Sequence, residues 1–134
     1  MSDPDEPHRI RVRYCETDRM GVAHHGSYVA WFEEARTEWL RRRGKTYRAM
    51  EDEGNLLQIV ELCARYRRSV TYDDVLLVSV NVKEKGRVWI TLGYEVRDEA
   101  TGEICCTGHT KLACVGRDGR VRPLPPEFEG MAIG

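Results

Sequence analysis

Apolar positions along the 134-residue chain fall into two regimes. From Tyr28 to Trp39 they recur at 28, 31, 32, 35 and 39, the i, i+3, i+4, i+7, i+11 stripe of an amphipathic helix, with Glu33, Glu34, Thr37, Glu38 and Arg41 on the opposite side. The spacing predicts a helix over 27–43, capped by Ser27 or Gly26 and stopped by Gly44. After one short helical turn in "TYRAMEDEG" the period changes to two and stays there. "HRIRVRY" reads as a short first strand, "LLQIVELCARYRR" as a second and "VLLVSVNVK" as a third, with Leu76, Val78, Val80 and Val82 on one face. "RVWITLGYEV" is a fourth, gathering Val88, Ile90, Leu92, Tyr94 and Val96, and "ICCTGHTKLACV" is a fifth. Lys85-Gly86 marks a hairpin between the third and fourth.

One strand, one long helix and four strands in meander-like succession predict an α+β fold in which a curved antiparallel sheet of about five strands wraps around a single central helix. The length fits one domain spanning 1–134, with residues 1–7 and 127–134 expected as loose tails because they are rich in proline, acid or glycine. Such a unit leaves sheet edges open, so a homodimer at least is expected.

Lys+Arg of 21 against Asp+Glu of 22 give a net charge of -1, which recommends no nucleic-acid partner. The N-terminal stretch lacks an apolar signal segment and no run is long enough to span a membrane, so a cytoplasmic protein is expected. Cys15, Cys63, Cys105, Cys106 and Cys114 include no CxxC pair, and four of them lie in strands as small hydrophobes.

The chemistry concentrates in "ETDRMGVAHHGSYVAWFEEAR", residues 16–36. Asp18 precedes Gly21 in a T-D-x-x-G run, which by itself reads as an ordinary turn with the aspartate bonded to the backbone ahead. The helix downstream adds a second possibility. Its first N–H groups are unpaired and its dipole favours negative charge there, so a carboxylate beside it forms a minimal set for hydrolysing an activated acyl group. Asp18 would attack the carbonyl carbon or activate a water, and helix-start N–H groups including that of His25 would take the oxyanion. Three other arrangements are weaker. His24 and His25 as metal ligands with Asp18 and Cys15 suffer because adjacent side chains in extended backbone diverge. Ser27 as nucleophile lacks a G-x-S-x-G elbow, and Cys15 sits at a strand end that suits packing as well.

These residues resemble the hotdog-fold acyl-CoA thioesterases, the group of 4-hydroxybenzoyl-CoA thioesterase and the YbgC-type enzymes. The likeness rests on "YCETDRMGVAHHGSYVAWFEEAR" and continues through "YDDVLLVSV" to "RPLPPEF". It implies hydrolysis of an acyl-CoA to free acid and CoA, no metal and no organic cofactor, and a dimer or tetramer with sites shared between subunits. Asp18 matches the family's catalytic carboxylate, and His25 the position whose backbone N–H polarises the thioester. Tyr14 and Tyr28 match flanking tyrosines, with packing as their alternative role. Glu33 and Arg36 are assigned to structure or the dimer contact. His24 stands where an aromatic is usual and Ser27 where Asn is frequent.

CoA phosphates require local positive charge. Arg65 and Arg67 are the candidates in "ARYRRS", where strand alternation puts them on one face and Arg68 on the other. An acyl-carrier-protein substrate would use the same arginines. A hotdog dehydratase using His25 with Asp18, and a non-catalytic acyl-CoA binding module, are the competing classes. A binding module has no use for a carboxylate near the carbonyl carbon.

Overall fold

The computed structural model describes residues 5–134; part of the expected N-terminal tail, residues 1–4, lies outside the described residues. Strand β1 (His8–Arg11) is short because the chain leaves the sheet for a single 3-10 turn at Tyr14–Glu16, so the predicted strand end at Tyr14 is not extended. Helix α1 (His25–Arg42) follows, then a one-and-a-half-turn α2 (Tyr47–Asp52) capped by the Thr46 side chain on the Ala49 N–H. Four long strands complete the molecule: β2 (Leu56–Tyr66), β3 (Val75–Lys85), β4 (Trp89–Asp98) and β5 (Ile104–Val115).

All five strands form one antiparallel sheet in the order β1-β3-β4-β5-β2. The meander holds for β3, β4 and β5. Strand β2 departs from it, because the segment after Tyr66 carries the chain past the start of α1 before β3 begins, and this leaves β2 on the far side of β5. The predicted curved sheet around one long helix, the hotdog arrangement, is therefore present with β2 as an edge strand.

The helix stripe is buried as its spacing requires: Tyr28, Trp31, Phe32, Ala35 and Trp39 all face the sheet. Phe32 stacks on Tyr94 of β4 with ring centroids 4.4 Å apart. Gly108 of β5 makes room, since a Cβ there would lie 2.9 Å from the Phe32 ring and 2.4 Å from the Cys63 carbonyl oxygen. Arg36 enters the core as well. Its guanidinium donates to the hydroxyls of Tyr47 (2.6 Å) and Tyr94 (3.1 Å), so it pins α1 to α2 and the sheet rather than pairing with Glu33. Cys105, Cys106 and Cys114 are buried, as their strand positions imply.

The C-terminal segment from 127 onward was expected to be loose and is instead packed. Phe128, at the end of a 3-10 turn, is fully buried, and Lys85 donates to the carbonyls of Phe128, Glu129 and Met131 at 2.8–2.9 Å. Proline and glycine there prevent a regular element, but buried Phe128, the half-buried Met131 packed against the core and an ammonium that satisfies three carbonyls suffice to hold an irregular path.

Candidate active site

Between the 3-10 turn and α1 the chain forms a tight hairpin. Thr17 bridges Ala23, the Asp18 N–H donates to the Val22 carbonyl (2.8 Å), and the Gly21 N–H returns to the Asp18 carbonyl (3.0 Å). Gly21 supplies the left-handed backbone this closure needs, at φ +81°. One Asp18 carboxylate oxygen accepts the Met20 N–H at 2.8 Å. That is the ordinary turn bond, and it also fixes the side chain while leaving the second oxygen without a hydrogen bond among the described residues. The hairpin is tied onward, through Ala23 N–H to Val70 O (2.8 Å) and a Val22–Thr71 bridge, to the segment that follows β2.

Helix α1 starts two residues earlier than Ser27. His24 is the N-cap and provides no side-chain cap, so the N–H groups of His25 and Gly26 have no acceptor among the described residues. Ser27 is the third helical residue, and its hydroxyl donates to the Glu16 carbonyl (2.9 Å) instead of capping. The same hydroxyl lies 3.1 Å from His24 Nε2. Since its one proton goes to Glu16, it accepts from the imidazole, which places a proton on His24 Nε2.

The helix start opens on a cavity of about 260 Å³ lined by Ala23, His25, Tyr28, Tyr66, Arg67 and Arg68. Tyr66 donates its hydroxyl to the His25 carbonyl (3.1 Å), and its ring meets that of Tyr28 edge-on at 4.9 Å. Tyr28 is buried, and burial pushes its hydroxyl pKa well up, so it stays neutral at all ordinary pH. His25, Tyr28 and Arg67 are thus brought together, with Asp18 on the adjoining hairpin and outside the cavity lining. Tyr14 is not brought to the cavity; it is 78% exposed and packs edge-on against Tyr72 at 5.7 Å.

Arg65 lies apart too, in a hollow on the outer face of the sheet beside Cys63 and His109. Arg67 and Arg68, by contrast, line the same cavity, contrary to simple alternation. The strand ends at Tyr66, and both arginine N–H groups converge on the Cys105 carbonyl (2.9 and 3.1 Å), which breaks the period of two. Arg68 is engaged by Glu103 (2.7 Å) and Thr101 (3.2 Å), whereas Arg67 has no ion-pair partner among the described residues.

Glu16 is the residue that sequence reasoning missed. It is buried at 7% exposure; one carboxylate oxygen accepts the Arg13 N–H (2.7 Å), the other the Trp31 Nε1–H (2.8 Å), with the Arg13 guanidinium at 3.4 Å. Burial alone would push its carboxyl up, but these hydrogen bonds and the Arg13 charge outweigh it and hold the group below its ordinary value. Nothing local in "YCETD" marks it, because its partner Trp31 is fifteen residues away.

The remaining chemistries find less support. Cys15, the cysteine weighed as a nucleophile, is exposed in the 3-10 turn rather than packed at a strand end. The His24 and His25 rings stand 6.5 Å apart and nearly perpendicular, and among the described residues no three of His, Cys, Asp and Glu gather as a metal-ligand set.

Comparison with known proteins agrees with this architecture. Acyl-CoA thioesterase YbgC of Haemophilus influenzae is 34% identical over 117 residues, covering 86% of this chain and 83% of that one. The crystal structure of DHNA-CoA thioesterase from Staphylococcus aureus superposes with a TM-score of 0.85 at 34% identity, covering 89% of this chain and 80% of the other. A hypothetical protein from Aquifex aeolicus superposes with a TM-score of 0.86, also at 34% identity, covering 91% and 94%. Residues 12–130 match the family described as the thioesterase-like superfamily, and with the helix, sheet and hairpin arranged as above, the chain belongs to that family.

Proposed function

We propose that the protein hydrolyses an acyl-CoA thioester to the free acid and CoA, with Asp18 as the attacking or water-activating carboxylate and the N–H groups at the start of α1 as the oxyanion site. The observation that carries this reading is the helix end itself. Two N–H groups, of His25 and Gly26, have no acceptor among the described residues, His25 lines the cavity, and the hairpin immediately before them presents a carboxylate held by one oxygen. The family and the similarity to named acyl-CoA thioesterases support the same chemistry.

In this mechanism the thioester carbonyl lies against the His25 N–H, where the helix dipole and the unpaired donors favour charge on oxygen. Asp18 adds to the carbonyl carbon, or removes a proton from the water that does. The C–S bond then breaks and CoA leaves as thiolate, which takes up a proton from solvent or the one held by Asp18; where Asp18 itself has added, the acyl group remains on it as a mixed anhydride, and water attacks that anhydride to release the free acid and restore the carboxylate. Water is the second substrate, and the steps require no cofactor. Arg67, which lines the cavity and has no ion-pair partner among the described residues, is the arginine best placed for a CoA phosphate. Arg65 lies in the separate hollow on the outer face of the sheet.

The test is thiol release from short, medium, long and aromatic acyl-CoAs, with chelator present, by wild type, Asp18→Asn and His25→Ala. Asp18→Asn should retain fold and substrate binding and lose at least about 10²-fold in kcat. His25→Ala should lose less, because its backbone donor remains. Full turnover in Asp18→Asn would refute the role given to that carboxylate.

A further inference from the structure

We propose that Glu16 is the positioning residue of this hydrolytic site, setting the separation between the Asp18 hairpin and the start of α1; the inference rests on the reading of Asp18 and the helix start given above. Asp18 and the His25 N–H must flank one carbonyl group, and they belong to different pieces of structure. Glu16 bonds to both sides. Two residues before Asp18, it anchors the entry to the hairpin by accepting the Arg13 N–H at 2.7 Å. Its other carboxylate oxygen reaches the second turn of α1 through Trp31 Nε1 at 2.8 Å. Its carbonyl accepts the N–H of the helix cap His24 at 3.0 Å and the Ser27 hydroxyl at 2.9 Å. One buried residue therefore holds the strand exit, the helix cap and two helical side chains, without touching the reacting atoms.

The donors define what Glu16 has to be. Both carboxylate oxygens face N–H groups, so an ionised carboxylate satisfies the site and an amide does not. A glutamine has one oxygen, and its NH₂ would meet either the Arg13 N–H or the Trp31 Nε1–H, donor against donor. The side chain or Trp31 must then shift, and the helix start moves relative to Asp18. Removing the indole donor removes that conflict.

The experiment is a double-mutant cycle with Glu16→Gln, Trp31→Phe and the pair, measuring kcat and KM separately on the acyl-CoA that wild type turns over best, with Asp18→Asn alongside. For folded Glu16→Gln we expect a loss of roughly 10²-fold in kcat, the effect of a misplacement near 1 Å, with KM changed by no more than about twofold. In the Trp31→Phe background the same substitution should cost little, so that the double variant is about as fast as Trp31→Phe alone. If Glu16→Gln does not fold, Ser27→Ala decides, since it removes the hydroxyl that joins the Glu16 carbonyl to α1 and accepts from the cap residue His24. A lower kcat at unchanged KM supports the role, and wild-type kcat overturns it. Wild-type kcat in folded Glu16→Gln, or a loss that Trp31→Phe does not relieve, also overturns it. Should Asp18→Asn be inactive while Glu16→Gln is unaffected, only the positioning role fails; turnover retained in Asp18→Asn refutes the underlying site.

Discussion

At the scale of the residue, the active end of the molecule is governed by where single hydrogen-bonding groups find partners. Asp18 keeps one oxygen on the Met20 N–H, and His25 keeps its N–H unpaired because the cap residue before it is a histidine turned towards Ser27. Glu16 is the most consequential of them for stability. Its folded carboxyl lies below its ordinary value of 4.5, so its contribution is complete above that value and is lost as pH falls through the lower folded pKa. Chemical denaturation of wild type and Glu16→Gln should therefore show a stability gap at pH 7 that narrows on acidification below about pH 4.5. A gap unchanged down to pH 3 would mean that charge at Glu16 contributes nothing. The pairing of Glu16 with Trp31 was not legible in the sequence, because it depends on the angle at which α1 leaves the hairpin.

At the scale of the element, α1 and the strands β3 to β5 follow from periodicity, and their contacts follow from side-chain size. Phe32 occupies the space that Gly108 leaves free, against the flat face of Tyr94. Gly108→Ala would place a methyl group 2.4 Å from a backbone oxygen that has little freedom to move. The expected result is a destabilisation of about 1–3 kcal/mol, read from denaturant midpoints at unchanged slope. Stability equal to wild type would mean that β2 and β5 separate locally at no cost. Where the periodic reading missed, it missed at element ends. Strand β1 stops at Arg11 and β2 at Tyr66, and in each case a tertiary hydrogen bond takes over from the ladder: Val12 N–H to Asp74 O at 2.8 Å, and the paired Arg67 and Arg68 N–H groups on Cys105.

At the scale of the whole molecule, the two sheet edges are treated differently. On the β3 side, β1 covers the first half, and the C-terminal tail covers part of the rest through an Ile133–Val82 bridge and the Gly134 N–H on the Val82 carbonyl. On the other side the eleven residues of β2 have no further strand beside them among the described residues, and Ile59, Val60 and Leu62 are exposed along it. A long apolar edge strand of this kind invites pairing with a second copy, and we propose it as the contact of a homodimer. Val60 is 56% exposed at a register shift, where a lysine would be tolerated by the monomer and resisted by a partner. Light scattering of Val60→Lys should report a monomer where wild type is a dimer, with turnover falling in parallel if the sites are shared. An unchanged mass would move the interface elsewhere. Among the described residues no helix is long and apolar enough to cross a membrane.

The sequence by itself determined the helix stripe, the strands after it, the hotdog class and the motif carrying Asp18 and His25, because hydrophobic period and turn chemistry are local properties of the chain. Tertiary structure alone decided that β2 crosses to the far edge, that Phe128 and the tail close over the core, and that Arg67 reaches the cavity while Arg65 and Tyr14 do not. It also decided that Glu16 ties the hairpin to the helix. Each of these depends on groups distant in sequence satisfying one another's hydrogen bonds or filling one another's space, and no local pattern carries that information.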